Sequence, residues 1–363
     1  MISRPSHSRS GVALIIVMIC VTVLGGMAAL FAISMKTEVR LAMNANADAE
    51  FHALAQSAVD YCRAVLAISC PEEQFDALTQ PWAGGSGSLC SNALFSVVKN
   101  EVDLGYGKFK WKMVDLDRKA NINLADPPML EQAMRLLGVD GGDASVISAS
   151  ILDWIDRDKN PHVGGVESDY YEGLEPPYKA KDGYMDDISE LLLIRGVTEE
   201  LYGVEGLHPP PPPPSLREQL RMGFDEPPVQ RAVLKDLFTP ISSGKININT
   251  ASAEVLQLVP YIDENIAQRI IAARNGLETG QPTPFRSLND VWYSAGLDNQ
   301  ELVGRIQNYF SVRSTTFEAQ IEVSIGPVKR NYYAILARRN PRDIQVLSFY
   351  WKLNPPASHA NAP

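Results

Sequence analysis

The polarity of the chain changes sharply near its start. From Ser10 to Met35 there is no charged residue, and a short segment carrying Arg4 and Arg9 precedes that run. A helix rises about 1.5 Å per residue, so the stretch from Val12 to Ile33 matches the roughly 30 Å hydrocarbon thickness of a bilayer. The pattern predicts a membrane-spanning helix. Basic residues ahead of an apolar span tend to stay cytoplasmic, which puts everything beyond Lys36 on the other side of the membrane. A cleaved secretory signal is the competing explanation and calls for a shorter apolar region followed by a small-residue cut site. Against it, Met27 to Cys70 contains neither Gly nor Pro, so one helix can continue past the membrane boundary for roughly 65 Å. Phe51, Leu54, Ala58, Tyr61 and Val65 recur at helical spacing on its outer half, which predicts one apolar face packed on a globular domain.

Further along, the pattern switches to strands. Ala93 to Val102 and Lys108 to Leu116 flank Gly105-Tyr106-Gly107 as a hairpin, and Glu318 to Ile325, Asn331 to Arg338 and Ile344 to Lys352 follow late in the chain. Together they predict an α+β body: one antiparallel sheet closed over the rod's apolar face, built from both ends of the sequence. About half the protein lies between the early and late strands, and it repeats itself. Asn121-Ile122-Asn123-Leu124-Ala125 returns as Asn247-Ile248-Asn249-Thr250-Ala251. Each copy then starts a helix, with Asp126 capping before Pro127-Pro128 in the first and Thr250 or Ser252 capping in the second. Second helices follow at Ala144 to Ile155 and Asp263 to Arg274, and Asp187 to Leu191 corresponds to Ser287 to Val291.

The expected organisation is therefore a leader at 1–11, the long helix at 12–70, and the first part of the α+β body at 71–117. An inserted all-helical domain follows at 118–306, with repeats at 118–207 and 245–306 and a proline-rich linker at 208–244. The late strands occupy 307–353, and 354–363 is expected to be a disordered tail. Within the linker, Pro209 to Pro214 favours an extended polyproline form, read as a surface connector or as a docking site for an aromatic groove.

Charge sharpens this picture. Of the chain's net charge of -10, residues 140–190 hold thirteen acidic and four basic residues. Within them, Asp153-Trp154-Ile155-Asp156-Arg157-Asp158-Lys159-Asn160-Pro161 leads into Gly164-Gly165-Val166-Glu167-Ser168-Asp169, so two carboxylate pairs bracket a glycine-containing loop. Hard cations such as calcium take six to eight oxygen ligands, which such a loop can supply. The alternative is a solvated acidic loop whose carboxylates cap neighbouring helices. The spacing is not that of an EF-hand.

Cys62, Cys70 and Cys90 lie outside the apolar run, on a side that is usually oxidising. A Cys70–Cys90 bridge would close the Gly- and Ser-rich loop between them, with Cys62–Cys70 as the competing pair. No Cys/His spacing suggests zinc, and no His-Glu-x-x-His or Gly-x-Ser-x-Gly nominates an enzyme. His162 reads as an exposed loop residue.

Three resemblances follow from these motifs. The basic leader and the apolar helix behind Gly11 resemble the type IV pilin-like family, in which a prepilin peptidase cuts after a glycine. The implied cut is Gly11/Val12, with the new amino terminus a candidate for methylation. Most members carry a glutamate at the fifth mature position, where this chain has Ile16. The second repeat resembles a helix-hairpin-helix, SAM-like module, but its turn, Pro260-Tyr261-Ile262-Asp263, lacks the glycine that lets backbone amides approach a phosphate. In the first repeat the turn Leu137 to Gly142 keeps its glycines but sits beside the acidic segment, which would repel a polyanion and argues against nucleic acid as a partner. The alternative function kept open is a membrane-anchored DNA receptor of a competence or type IV pilus-like system.

Asp153 to Asp156, Gly164 to Asp169, Tyr170-Tyr171 and Pro176-Pro177-Tyr178 resemble the minor pseudopilin K family of type II secretion. That resemblance implies a non-enzymatic subunit anchored in the inner membrane, with its body in the periplasm, that starts or caps a pseudopilus. Its implied partners are minor pseudopilins I and J, the major pseudopilin, the prepilin peptidase and the inner-membrane secretion platform. It also implies structural calcium, held by Asp156, Asp158, Glu167 and Asp169, with Asp182 and Asp187 as weaker ligands or simple helix caps.

Overall fold

The computed structural model describes residues 10–68, 75–85, 98–204, 232–277, 280–294, 296, 300–340 and 342–352. Helix α1 spans Ser10–Ile68 as a single rod of 59 residues, on the order of 90 Å long. Its membrane-proximal half is exposed along its whole length, and its length and composition suit a membrane span. The outer half buries Phe51, Leu54, Ala55, Ala58, Cys62, Val65 and Leu66, the three- and four-residue recurrence visible in the sequence. Tyr61 sits at the margin of that stripe, where its hydroxyl accepts from the Lys99 backbone at 2.9 Å.

This face packs on a five-stranded sheet ordered β1-β2-β7-β8-β9, made of Glu101–Asp103, Lys108–Asp115, Thr316–Ile325, Val328–Asn340 and Asp343–Lys352. Every neighbouring pair is antiparallel. In β2 the alternation of lysines with Phe109, Trp111 and Met113 turns the apolar set toward α1, as the pleat requires. The first strand is shorter than its sequence pattern: β1 covers Glu101–Asp103, and Val98 to Asn100 are not strand. Gly107 lies where the hairpin meets the rod, and a Cβ there would come within 2.7 Å of the Leu54 side chain. Residues 1–9, Cys70, Cys90, residues 91–97, Pro209 to Pro214 and the tail at 354–363 lie outside the described residues. Cys62 is a free thiol in the core, and burial pushes its pKa up to about 12.

The sheet is interrupted between β2 and β7 by the helical insert. Its two repeats share local geometry. In the first, β3 (Ala120–Asn121) pairs in parallel with β4 (Phe238–Thr239); in the second, β5 (Ile246–Asn247) pairs in parallel with β6 (Phe310–Ser311). The Asn123 side chain brackets Met185, accepting from its N–H at 2.7 Å and donating to its carbonyl at 3.0 Å. Asn249 does the same to Phe285, at 2.9 and 3.0 Å. The asparagines that mark the repeat in sequence thus replace backbone partners that a strand would have supplied.

Helices α2 (Pro127–Leu136) and α3 (Gly141–Ile155) belong to the first repeat, with Asp126 capping α2 through the Met129 N–H. In the second, Ser252 caps α5 (Ala253–Leu256) and Asp263 caps α6 (Glu264–Asn275), while α4 (Ser168–Glu172) lies in the acidic segment of the first. The turns match as well: Gly138 has φ 76° and Tyr261 has φ 74°. One correction concerns the linker. Residues 234–239 are not a connector between repeats, because Leu234, Leu237 and Phe238 are buried in the core and β4 closes the first repeat against β3. Both repeats contribute to a single hydrophobic cluster, so the insert is one unit.

Where the insert leaves and rejoins the sheet, three buried carboxylates meet. Asp115 accepts from the Thr250 hydroxyl at 2.5 Å, the Ser314 hydroxyl at 2.6 Å and the Asn247 amide at 3.2 Å. Asp117 accepts from the Ser243 and Thr315 N–H groups at 2.6 Å each, and Asp76 holds the Ser314 N–H together with the Arg338 guanidinium. Burial, reinforced by the charge of Asp117, raises the Asp115 pKa to about 7. The folded state then retains a proton that the unfolded chain has lost, so stability falls as pH rises from the ordinary carboxylate range toward 7. Melting curves between pH 5 and 8 are expected to show this decline. In Asp115→Asn the decline is expected to be shallower, even though the amide lowers stability overall; an unchanged slope would remove Asp115 as its source.

Candidate metal centre

The acidic site forms where α3 ends. Asp153 sits in its last turn and is wholly buried, while Asp156 is the C-cap residue, its N–H donating to the Leu152 carbonyl at 2.9 Å. The chain then loops out through Asp158 and returns past His162 to Glu167, which precedes α4. Gly165 permits the return: a Cβ there would lie 1.9 Å from Asp153 Oδ2. Behind the loop, Trp154 meets the Tyr171 ring edge-on at 5.3 Å, and Tyr178 stacks on Tyr171 at 5.3 Å. Those rings make a rigid apolar wall under the carboxylates.

Two overlapping groups of ligand atoms result, Asp153 with Asp156 and His162, and Asp156 with Asp158 and Glu167, with all atoms within 4.8 Å of one another in each. Four carboxylate oxygens in this region are buried without a hydrogen-bond partner: Asp153 Oδ2, Asp156 Oδ1, Glu167 Oε1 and Asp182 Oδ1. Buried polar atoms are nearly always paired, so unpaired anionic oxygens converging on one loop fit a hard cation. The electrostatics agree. Burial, with the charges of Asp158 and Asp153, raises the pKa of Asp156, and burial with the charges of Asp153 and Asp156 raises that of Glu167.

Of the ligands implied by resemblance, the structure gathers Asp156, Asp158 and Glu167. Asp169 stands apart, exposed in the first turn of α4. Asp187 is a helix cap, joined to Glu190 in a capping box, whereas Asp182 turns an unpaired oxygen inward from a left-handed backbone at φ 49°. In the sequence Asp153 is simply one of the two aspartates flanking Trp154 and Ile155; its complete burial is what distinguishes it as a ligand. His162 is exposed, as expected of a loop residue, yet bonded to Asp153. Its backbone N–H donates to Asp153 Oδ1 at 2.9 Å and its Nδ1 lies 2.5 Å from the same oxygen. That hydrogen bond raises the His162 pKa.

Residues 112–204 and 246–313, which are the two repeats with their flanks, each match a family described as type II secretion system (T2SS), protein K. Among curated relatives, the type II secretion system protein K of Pectobacterium carotovorum is 31% identical over 168 residues, covering 42% of this chain and 51% of the relative. That of Pseudomonas aeruginosa is 24% identical over 253 residues, covering 67% and 64%. A chain in the crystal structure of the GspK-GspI-GspJ complex from the enterotoxigenic Escherichia coli Type 2 Secretion System superposes with a TM-score of 0.61 at 17% identity, over 86% of this chain and all of that one. The fold is thus shared between two distant sequences. The chain belongs to the type II secretion system protein K family.

Proposed function

We propose that the protein is a minor pseudopilin that stands at the tip of a type II secretion pseudopilus, where it starts or caps the filament. Prepilin peptidase would cut between Gly11 and Val12, leaving α1 in the inner membrane and the body in the periplasm. The observation that carries this reading is an exposed apolar rod on a pilin-like sheet interrupted by two protein K segments. Ile16 suits a tip position, since in the pilin-like family the glutamate otherwise found there is thought to neutralise the amine of a neighbouring subunit. The broad insert would also obstruct any subunit placed above it.

The role is structural, without catalysis. Minor pseudopilins I and J are its proposed direct partners, as GspI and GspJ are in the related complex, with the major pseudopilin below and the secretion platform at the membrane. Calcium, held by Asp153, Asp156, Asp158 and Glu167, would neutralise the loop and fix the insert's shape. The repeats fit a helix-hairpin-helix origin in which Tyr261, 60% exposed at a positive φ, occupies the place of a phosphate-facing glycine. That ring disfavours the DNA-receptor alternative. Mixing the exported part with its cognate I and J subunits should give an equimolar complex by light scattering; three separate species at micromolar concentration would count against the assignment.

A further inference from the structure

The second repeat contains a cavity of about 680 Å³ between α6 and α7 (Leu288–Ser294), with the loop at 283–286 along one side. Ala273, Pro284 and Phe285 contribute apolar lining, and Arg269, Arg286 and Tyr293 stand at its rim. The size falls within the roughly 300–1,000 Å³ typical of ligand-binding clefts. Both guanidinium groups are exposed, and neither makes an ion pair or hydrogen bond among the described residues. Arg269 rests against Gly296, where a Cβ would meet its Nη1 at 3.0 Å, and Tyr293 is 87% exposed beside it. In a chain of net charge -10, two free arginines over an apolar floor form a local exception.

We propose that this cavity docks an acidic, partly apolar segment of another protein, with carboxylates paired to Arg269 and Arg286 and a side chain seated against Phe285. Arginine forks match carboxylates in a bidentate manner, and an exposed tyrosine provides contact area at small entropic cost. Nucleic acid fits less well. Two cations would release few of the counterions that drive nucleic-acid binding. The surface lies in the second repeat, whereas the carboxylate cluster lies in the first, so the proposal does not depend on metal binding.

The test uses the full chain in detergent micelles and a fluorescein-labelled nonapeptide alternating Glu with Leu. Fluorescence anisotropy should show saturable binding, weakened at least tenfold by Arg269→Glu with Arg286→Glu and weakened less by Tyr293→Ala, while melting temperature stays unchanged. The matching Lys/Leu peptide should not bind. Equal binding by parent and double variant, no binding by the parent, or equal competition by a 20-nucleotide single strand would each overturn the proposal. So would self-association in sedimentation velocity that the double variant abolishes, since the occupant would then be a second copy.

Discussion

Calcium should raise the melting temperature of the protein by about 5–10 °C. A ligand present at a hundred times its Kd contributes about 2.7 kcal/mol, and each kcal/mol shifts a domain of this size by about 2–4 °C. The geometry ranks the carboxylates. Asp153→Ala with Asp156→Ala should abolish the rise, since these two supply unpaired buried oxygens and Asp156 belongs to both ligand groups. Asp169→Ala should leave it nearly intact, because Asp169 is exposed and outside both groups. In the metal-free protein the sign reverses. Asp156→Asn removes one of several repelling charges and should raise stability without calcium while lowering it with calcium. A merely solvated acidic loop would respond to none of these changes in a calcium-dependent way, and calorimetric scans with and without chelator separate the two cases.

Arg338→Met should destabilise the protein by about 3–5 kcal/mol, the usual cost of leaving one member of a buried ion pair without its partner. Arg338 and Asp76 have side chains only 5% and 2% exposed, and the same guanidinium donates to the Ser314 carbonyl at 2.8 Å. Asp76 in turn fixes the Ser314 N–H, and Ser314 holds Asp115, so the loss should spread to the joint between sheet and insert. Urea titration gives the magnitude. Asp76→Asn combined with Arg338→Met should recover part of it, since Asp76 is then no longer a buried charge stripped of its partner. A loss below about 1 kcal/mol for the single variant would show that the pair does not hold the joint.

Much of this architecture is legible in the sequence because it rests on local periodicity. The apolar stripe from Phe51 to Leu66 repeats at helical spacing, and β2 and β7 alternate, so both register on a window of a few residues. The repeat is legible because Asn123 and Asn249 each carry a specific bonding task that no apolar residue performs. What the sequence hides is long-range. Phe238 and Thr239 form a two-residue parallel strand with no period to detect, so they read as linker although they seal the first repeat. The Asp115 network joins side chains more than a hundred residues apart, and no motif announces it. In the acidic loop, composition points to the region but cannot rank Asp153 against Asp169. Only the turn at Gly165, which brings the chain back onto Asp153, decides which carboxylates converge.

A tip position in the filament is directly visible. Filaments assembled from the major pseudopilin together with this chain and its partners can be labelled with gold through an epitope placed in the second repeat, and viewed by negative-stain electron microscopy. A single label at one end of each filament is the predicted result. Label spaced along the shafts would contradict a tip position and make the insert a lateral appendage instead.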